Sequence, residues 1–112
     1  MKIILKELIN GNPEIVWEGV FSPRNAEDEN AILDEAFEIA VCNYIIVRYP
    51  DGFGLNFKNC SQSEDGVLMR RCHCSGRNVR VTYKEGGMEL EDRSRKDRDF
   101  ILVVSKNEEY GK

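Results

Sequence analysis

The sequence predicts an α+β fold in which one amphipathic helix packs on a mostly antiparallel sheet of about five to seven strands. Three observations support this. A hairpin pattern opens the chain, a segment with helical apolar spacing follows, and the later apolar segments read as strands. A helix with one apolar stripe must bury it against another layer, here one face of the sheet. At 112 residues, the chain has the size of a single domain, 1–112.

The opening hairpin is predicted from two alternating segments around a turn. Residues 2–9 and 14–21 alternate apolar and polar side chains, as half-buried strands do. Between them, Asn10 and Gly11 form a pair that tolerates the positive φ angles of hairpin turns.

The predicted helix runs from about residue 25 to about residue 42. Ser22 followed by Pro23, or Asn25 instead, could cap its start. Its apolar residues recur at spacings of three and four and form one broad stripe: Ile32, Leu33, Ala36, Phe37, Ile39, Ala40 and Val41. This order of hairpin and then helix resembles the β-grasp domains over about the first 60 residues.

Strand patterns fill the rest of the chain. Residues 44–49 and 53–57 predict a second hairpin, because the first of them is β-branched and aromatic. Residues 67–74 and 78–84 predict a third hairpin, and 88–90 a short strand. Residues 93–99 predict an exposed loop or helical turn. The continuous apolar run in 100–105 predicts a central strand, buried on both faces.

Composition restricts the class of protein. The longest nearly apolar stretch is far shorter than the ~20 residues that span a bilayer, and no leader pattern opens the chain. We therefore expect a cytoplasmic protein with reduced cysteines. Residues 1–69 carry five Lys/Arg and twelve Asp/Glu, whereas 70–112 carry eleven and eight. The net charge of −4 argues against a dedicated duplex-DNA binder but allows a local basic patch.

No catalytic motif is present, so we expect a non-enzymatic protein without a cofactor. Cys60, Cys72, His73 and Cys74 offer zinc-ligand chemistry, and a small metal-stabilised module is one alternative. On a strand, however, Cys72 and Cys74 share one face and His73 points to the other. The bland interpretation, small semi-apolar residues beside a turn, is favoured over both zinc binding and Cys-His catalysis.

The predicted helix has an acidic side that could bind a protein with a basic surface. No Lys or Arg lies between Arg24 and Arg48. The candidate contact residues are the six acids of this segment: Glu27, Asp28, Glu29, Asp34, Glu35 and Glu38. Such a surface attracts and speeds the capture of a basic partner. The mixed-charge residues 93–99 are a second candidate contact, and the bland interpretation is an ordinary solvated helix face.

The predicted third hairpin is basic and supports a rival function. It contains no acid from residue 67 to 84, and a basic ribbon can follow a phosphate backbone. The candidate nucleic-acid contacts are its five cations: Arg70, Arg71, Arg77, Arg80 and Lys84.

Size, acidity and lack of catalytic chemistry make the chain resemble small phage-encoded inhibitors such as anti-CRISPR proteins. The resemblance implies an inhibitor that occupies a nucleic-acid-binding surface of another protein. The expected state is a monomer or a homodimer, because an exposed edge strand can pair with a second copy.

Overall fold

Five antiparallel strands form the main sheet of this computed structural model, which describes residues 1–49, 52–60, 66–77, 80–91 and 95–106. The strand order is β2-β1-β7-β4-β3, and β5 pairs with β6 in a separate two-stranded sheet. The strands are β1 (Lys2–Ile9), β2 (Asn12–Val20), β3 (Phe53–Cys60), β4 (Val67–Arg77), β5 (Arg80–Lys84), β6 (Gly87–Glu91) and β7 (Arg95–Ser105).

The first hairpin is confirmed. Strands β1 and β2 pair antiparallel across a turn in which Asn10 and Gly11 have φ angles of 54° and 81°. Successive β1 side chains point to opposite faces, so Ile3 and Leu5 enter the core beneath the helix. The register shifts by one residue after Leu5, where β2 has a bulge.

The helix begins later than predicted, because Asp28 caps it. α1 spans Glu29–Ala40, and the Asp28 side chain accepts hydrogen bonds from the backbone N–H groups of Asn30 and Ala31. The predicted caps, Ser22 and Asn25, lie outside the helix. Asn25 instead accepts a hydrogen bond from the Glu27 N–H in a local turn.

The predicted strand at residues 44–49 is wrong, since the helix continues through most of that segment. A π-helical turn (Val41–Ile45) and a short α2 (Ile46–Arg48) follow α1 directly. The wide turn adds one residue to the helical repeat. It thereby brings both Tyr44 and Ile45 into the core, and Tyr49 follows them there. Core burial outweighs the strand propensity of the β-branched run. Residues 29–48 are called the helical segment below.

The predicted second and third hairpins are replaced by other strand pairings. β3 pairs with β4 and not with residues 44–49, and β4 pairs with β7 on its other side. Both edges of β4 are therefore occupied, and β5 pairs with β6 instead. The predicted strand at 88–90 is confirmed as part of β6.

The last strand is central, as predicted. β7 lies between β1 and β4 and pairs antiparallel with both. It also begins earlier than expected, at Arg95, so residues 95–99 of the predicted loop are strand, while 92–94 lie outside the described residues. The long β4 explains this extension, because its residues 73–77 pair with 95–99.

One core lies between the helical segment and one face of the sheet, which confirms the α+β fold. It combines the helical stripe with alternate residues of the strands, for example Leu68, Cys72, Cys74, Phe100, Leu102 and Val104. The likeness to β-grasp domains concerns element order only and stays a prediction. Within the described residues, no helix is long and apolar enough to cross a membrane.

Candidate interaction surfaces

Of the predicted acidic residues, Asp34, Glu35 and Glu38 lie on α1 away from its apolar stripe, whereas Glu27, Asp28 and Glu29 lie in the turn before α1 and at its first residue. Five of the six are exposed, and Glu35 is partly buried. Glu29, by contrast, is spaced four and seven residues from the buried Leu33 and Ala36, so it belongs to the side of α1 that faces the sheet. Spacings of three and four residues bring Asp34, Glu35 and Glu38 next to each other on α1.

Three of these acids also have roles within the fold. Asp28 caps α1. Glu35 accepts a hydrogen bond from the Arg24 backbone N–H at 2.9 Å, and its other oxygen lies 3.4 Å from Arg24 Nε. Asp34 accepts a hydrogen bond from Arg70 Nη2 at 2.6 Å. Substitutions at these three positions would change stability as well as charge.

Arg70 was predicted as an exposed nucleic-acid contact, and the structure corrects this. Its side chain is buried beneath α1, with the guanidinium carbon 5.2 Å from the ring centre of Phe37 and 4.2 Å from that of Phe57. Its Nε donates to Asn59 Oδ1 at 2.7 Å. A buried charge needs such partners, because desolvation alone is costly. Arg70 therefore joins helix to sheet and is absent from the surface.

Two apolar residues on the same side of the molecule were missed by the sequence interpretation. Ile46 and Val47 are 48% and 61% exposed, just beyond the acids along the helical segment. Cys42, also exposed, lies between them and Glu38. The residues 38, 42 and 46 recur every four positions, and this spacing would have revealed the patch had the segment been interpreted as helix. Together with the six acids, these three residues are called the helical docking surface.

A shallow hollow of 300 Å³ lies on this surface. Asp34, Glu35 and Glu38 line it together with Arg24 and Asn25. Asp34 and Glu38 are exposed and Glu35 is partly exposed, so the hollow is open to a cationic side chain of a partner.

The second predicted contact, residues 93–99, is divided by the strand that contains it. Arg98 turns toward the core side, where Nη1 lies 3.1 Å from Glu7 Oε1, while Asp97 and Asp99 turn to the opposite face. That face is away from α1. A single flat partner therefore cannot contact these aspartates and the helical docking surface at once. Arg93 lies outside the described residues.

The face of the sheet opposite the helical segment, called the outer face, carries Arg71. Strand register places Arg71 beside Lys58 on one side and Ile101 on the other, and Ile101 beside Lys6. A row of three cations thus crosses β1, β4 and β3. The side chains of the other three predicted contacts, Arg77, Arg80 and Lys84, lie outside the described part of the structure.

His73 is also on the outer face, between two carboxylates. Nδ1 lies 2.7 Å from Asp99 Oδ1, and Nε2 lies 3.6 Å from Asp97 Oδ2. The hydrogen bond to Asp99 is the main reason why the pKa of His73 is raised, with the charge of both aspartates adding to it. This arrangement stabilises the imidazolium form of the ring.

The cysteines do not join His73. Cys72 and Cys74 are buried on the helix side of β4, on the face opposite His73, as alternation along a strand requires. Burial raises the pKa of Cys72 to about 12, which makes it a poor nucleophile at neutral pH. The Cys60 side chain lies outside the described residues. Among those described, no group of three or more His, Cys, Asp or Glu is placed to hold a metal ion.

No protein-family model matches the chain, and no curated protein or solved structure is significantly similar to it.

Proposed function

We propose that this chain is a non-enzymatic interaction protein whose helical docking surface binds a basic surface on another protein. The observation that carries the proposal is the continuity of that surface. Exposed carboxylates at one end adjoin the exposed apolar side chains of Ile46 and Val47 at the other. Apolar contacts supply affinity to protein interfaces, and charges supply orientation and speed of association.

The charge of the surface favours a basic partner. Among the described residues, two arginines pair with its carboxylates, Arg24 at the surface and Arg70 beneath the helix. Because Arg70 is buried, its charge is less available to a partner than those of the exposed acids. The surface therefore presents an excess of negative charge to solvent, which attracts and orients a cationic protein.

The most specific form of the proposal is an inhibitor of phage type, similar in kind to anti-CRISPR proteins. A helix that displays exposed carboxylates can occupy a groove built for phosphates, because both present closely spaced negative charge. We place this function in the cytoplasm, where the thiols of Cys42, Cys72 and Cys74, which are free in the structure, would remain reduced.

The experiment compares two charge-reversed proteins in affinity capture from host cells. Glu27→Lys with Glu38→Lys changes two exposed acids of the docking surface that have no role in capping α1 or binding Arg70. Glu14→Lys with Glu85→Lys makes the same change in net charge at exposed positions away from the helix. We expect the wild type and the control to retain one basic protein that the docking-surface variant loses.

A separate substitution tests the apolar end. Val47→Asp should release the same partner, since a charge would replace an apolar contact at the interface, while circular dichroism should show an unchanged fold because Val47 is exposed. Equal capture by all variants would refute the proposal. So would a captured partner whose contact surface is acidic.

A further inference from the structure

The row of cations on the outer face lies beside an open groove of 460 Å³. Arg71 and Lys58 line the groove, and they are direct neighbours on paired strands. Lys6 stands next to Ile101 at the other end of the row and is partly buried. Adjacent strands lie about 4.8 Å apart, so the three cations are distributed over roughly 14 Å across the sheet.

The groove combines this charge with apolar and hydrogen-bonding groups. Leu8 and Ile101 contribute apolar side chains, and Asn56 lies beside His73 at the next row of the sheet. The carboxylates of this row, Asp99 and Asp97, are directed at the His73 ring. These carboxylates are engaged with the ring at one end of the groove, whereas Lys58 and Arg71 lie on the adjacent row.

The acidic helix lies on the other side of the sheet and weakens this field only partly. Helix and outer face are separated by the whole core and the sheet, a distance of about 10 Å or more. Exposed charges at such separations are largely screened at physiological ionic strength, where the Debye length is about 8 Å. A protein with net charge −4 can therefore carry a surface that attracts anions.

From this juxtaposition we infer that the groove lined by Lys58 and Arg71, together with the neighbouring Lys6, binds the phosphodiester backbone of a single-stranded nucleic acid. The site goes beyond the proposed docking function, because it lies on the opposite face and uses other residues. It also relocates nucleic-acid contact from the predicted hairpin to the outer face. Of the predicted hairpin cations whose side chains the structure describes, Arg71 lines the groove and Arg70 is buried in the core.

A single strand fits better than a duplex or a compact acidic ligand. The cations form a line across four strands and do not enclose a pocket, and a line of cations in a groove follows a flexible backbone. The exposed parts of a sheet covered by a helix on its other side are a common platform for single-stranded nucleic acid. Phe57, which also lines the groove and is exposed, could stack on a base of any type, so binding should show little base preference.

The test is fluorescence anisotropy with a labelled twenty-nucleotide poly(dT) strand, at 50 and 200 mM salt. Neutralising three phosphates with three cations predicts that affinity falls about 20-fold between these salt concentrations. Arg71→Gln with Lys58→Gln should weaken binding at least tenfold at 50 mM. The matched control, Arg24→Gln with Lys106→Gln, removes the same charge at exposed positions outside the groove and should bind like the wild type.

Three results would overturn the inference. One is absence of wild-type binding at 50 mM salt, and another is equal loss of binding in the groove variant and the control. The third is equally tight binding of a poly-glutamate peptide of matched charge, which would assign the groove to acidic protein segments. If the double variant proves unfolded by circular dichroism, Lys58→Gln alone, at an exposed edge-strand position, decides the question in the same assay.

Discussion

Arg70 Nη2 lies 2.6 Å from Asp34 Oδ1, although the arginine side chain is 1% exposed and the aspartate side chain 66% exposed. The pair thus links core and surface, since the Arg70 guanidinium is buried and the Asp34 carboxylate is hydrated. Asn59 accepts a second hydrogen bond from Arg70 and donates to Asn30 Oδ1 at 2.9 Å. The network fixes α1 to β3 and β4 at the position where the acidic surface begins.

Removing Asp34 should therefore destabilise the protein more than removing Arg70. Asp34→Ala leaves a buried guanidinium without its carboxylate, and we expect a loss of about 2 kcal/mol in the free energy of unfolding. Arg70→Met places an apolar chain between Phe37 and Phe57 and should cost less. The double variant should resemble Arg70→Met alone, because no buried charge then remains.

Urea denaturation measures the free energy of unfolding of Asp34→Ala, Arg70→Met and the double variant. Glu38→Ala, which removes an exposed acid from the same helix, should stay within about 0.5 kcal/mol of the wild type. The interpretation fails if Asp34→Ala is no more harmful than Glu38→Ala.

Gly76 is predicted to resist substitution because β4 passes close to the segment before β3. A Cβ atom at this position would lie 2.8 Å from the Gly52 carbonyl oxygen and 3.0 Å from the Tyr49 ring. Since one of these atoms belongs to the backbone, Gly76→Ala should cost about 1–3 kcal/mol. Gly54→Ala is the control, because its Cβ would meet only Ser75 Oγ at 3.8 Å. Thermal denaturation should show a lower Tm for the first variant and no loss for the second.

His73 should titrate above pH 6.5, its ordinary value, and Asp99 should be the principal cause. A raised pKa in the folded state means that the protonated imidazole stabilises the fold. This stabilisation is complete below the pKa of the unfolded chain and is lost as pH rises through the folded-state pKa. Asp99→Asn should lower the pKa of His73 and reduce this loss.

Proton NMR can measure that pKa without ambiguity, because His73 is the single histidine of the sequence. Asp97→Asn, whose carboxylate lies farther from the ring, should lower the pKa less than Asp99→Asn. A wild-type pKa at or below 6.5 would contradict the geometry of this pair.

Thiol reactivity should separate the cysteines by burial. Cys42 is exposed, whereas Cys72 has its pKa raised to about 12 and Cys74 is fully buried. At pH 8, iodoacetamide should modify Cys42 rapidly and the two buried thiols only when the protein unfolds, because the thiolate is the reactive form. Peptide mass mapping follows each site, with urea-unfolded protein as the reference. Rapid modification of Cys72 in the native state would contradict its placement in the core.

Local patterns were sufficient for those elements whose partners are near in sequence. Asn10 and Gly11 predict the first turn because their positive φ angles are a property of the residues themselves. The central position of residues 100–105 could also be predicted, since burial on both faces leaves a continuous apolar run.

The errors arose where distant contacts decide. Residues 44–49 have strand propensity, but their burial against β7 favours a helix, as the contact between the Tyr44 and Phe100 rings shows. The pairing of β4 with β7, which is distant in sequence, has no local signal, so the sequence favoured a hairpin between β4 and residues 78–84. The exposed apolar residues Ile46 and Val47 were missed because of the same mistaken strand.

The burial of Arg70 could have been predicted from the alternation of side chains along β4. Arg70 shares a strand face with Leu68, Cys72 and Cys74, which are all buried, so alternation alone places it in the core. Its charge directed the interpretation to the surface instead. The buried charge is accommodated because Arg70 donates a hydrogen bond to Asp34, on a helix that is distant in sequence.

The position of β7 has a consequence for synthesis in the cell. β1 and β4 have no backbone hydrogen bonds to each other and are joined only through this strand, which is synthesised after both of them. Until then, β1 of the first hairpin and β4 of the second each have an edge of unpaired backbone N–H and C=O groups. The apolar residues of each hairpin also lack the core partners that β7 supplies. Such intermediates pair readily with other chains. Production of this protein should therefore be sensitive to chaperone supply and to any truncation before Ser105.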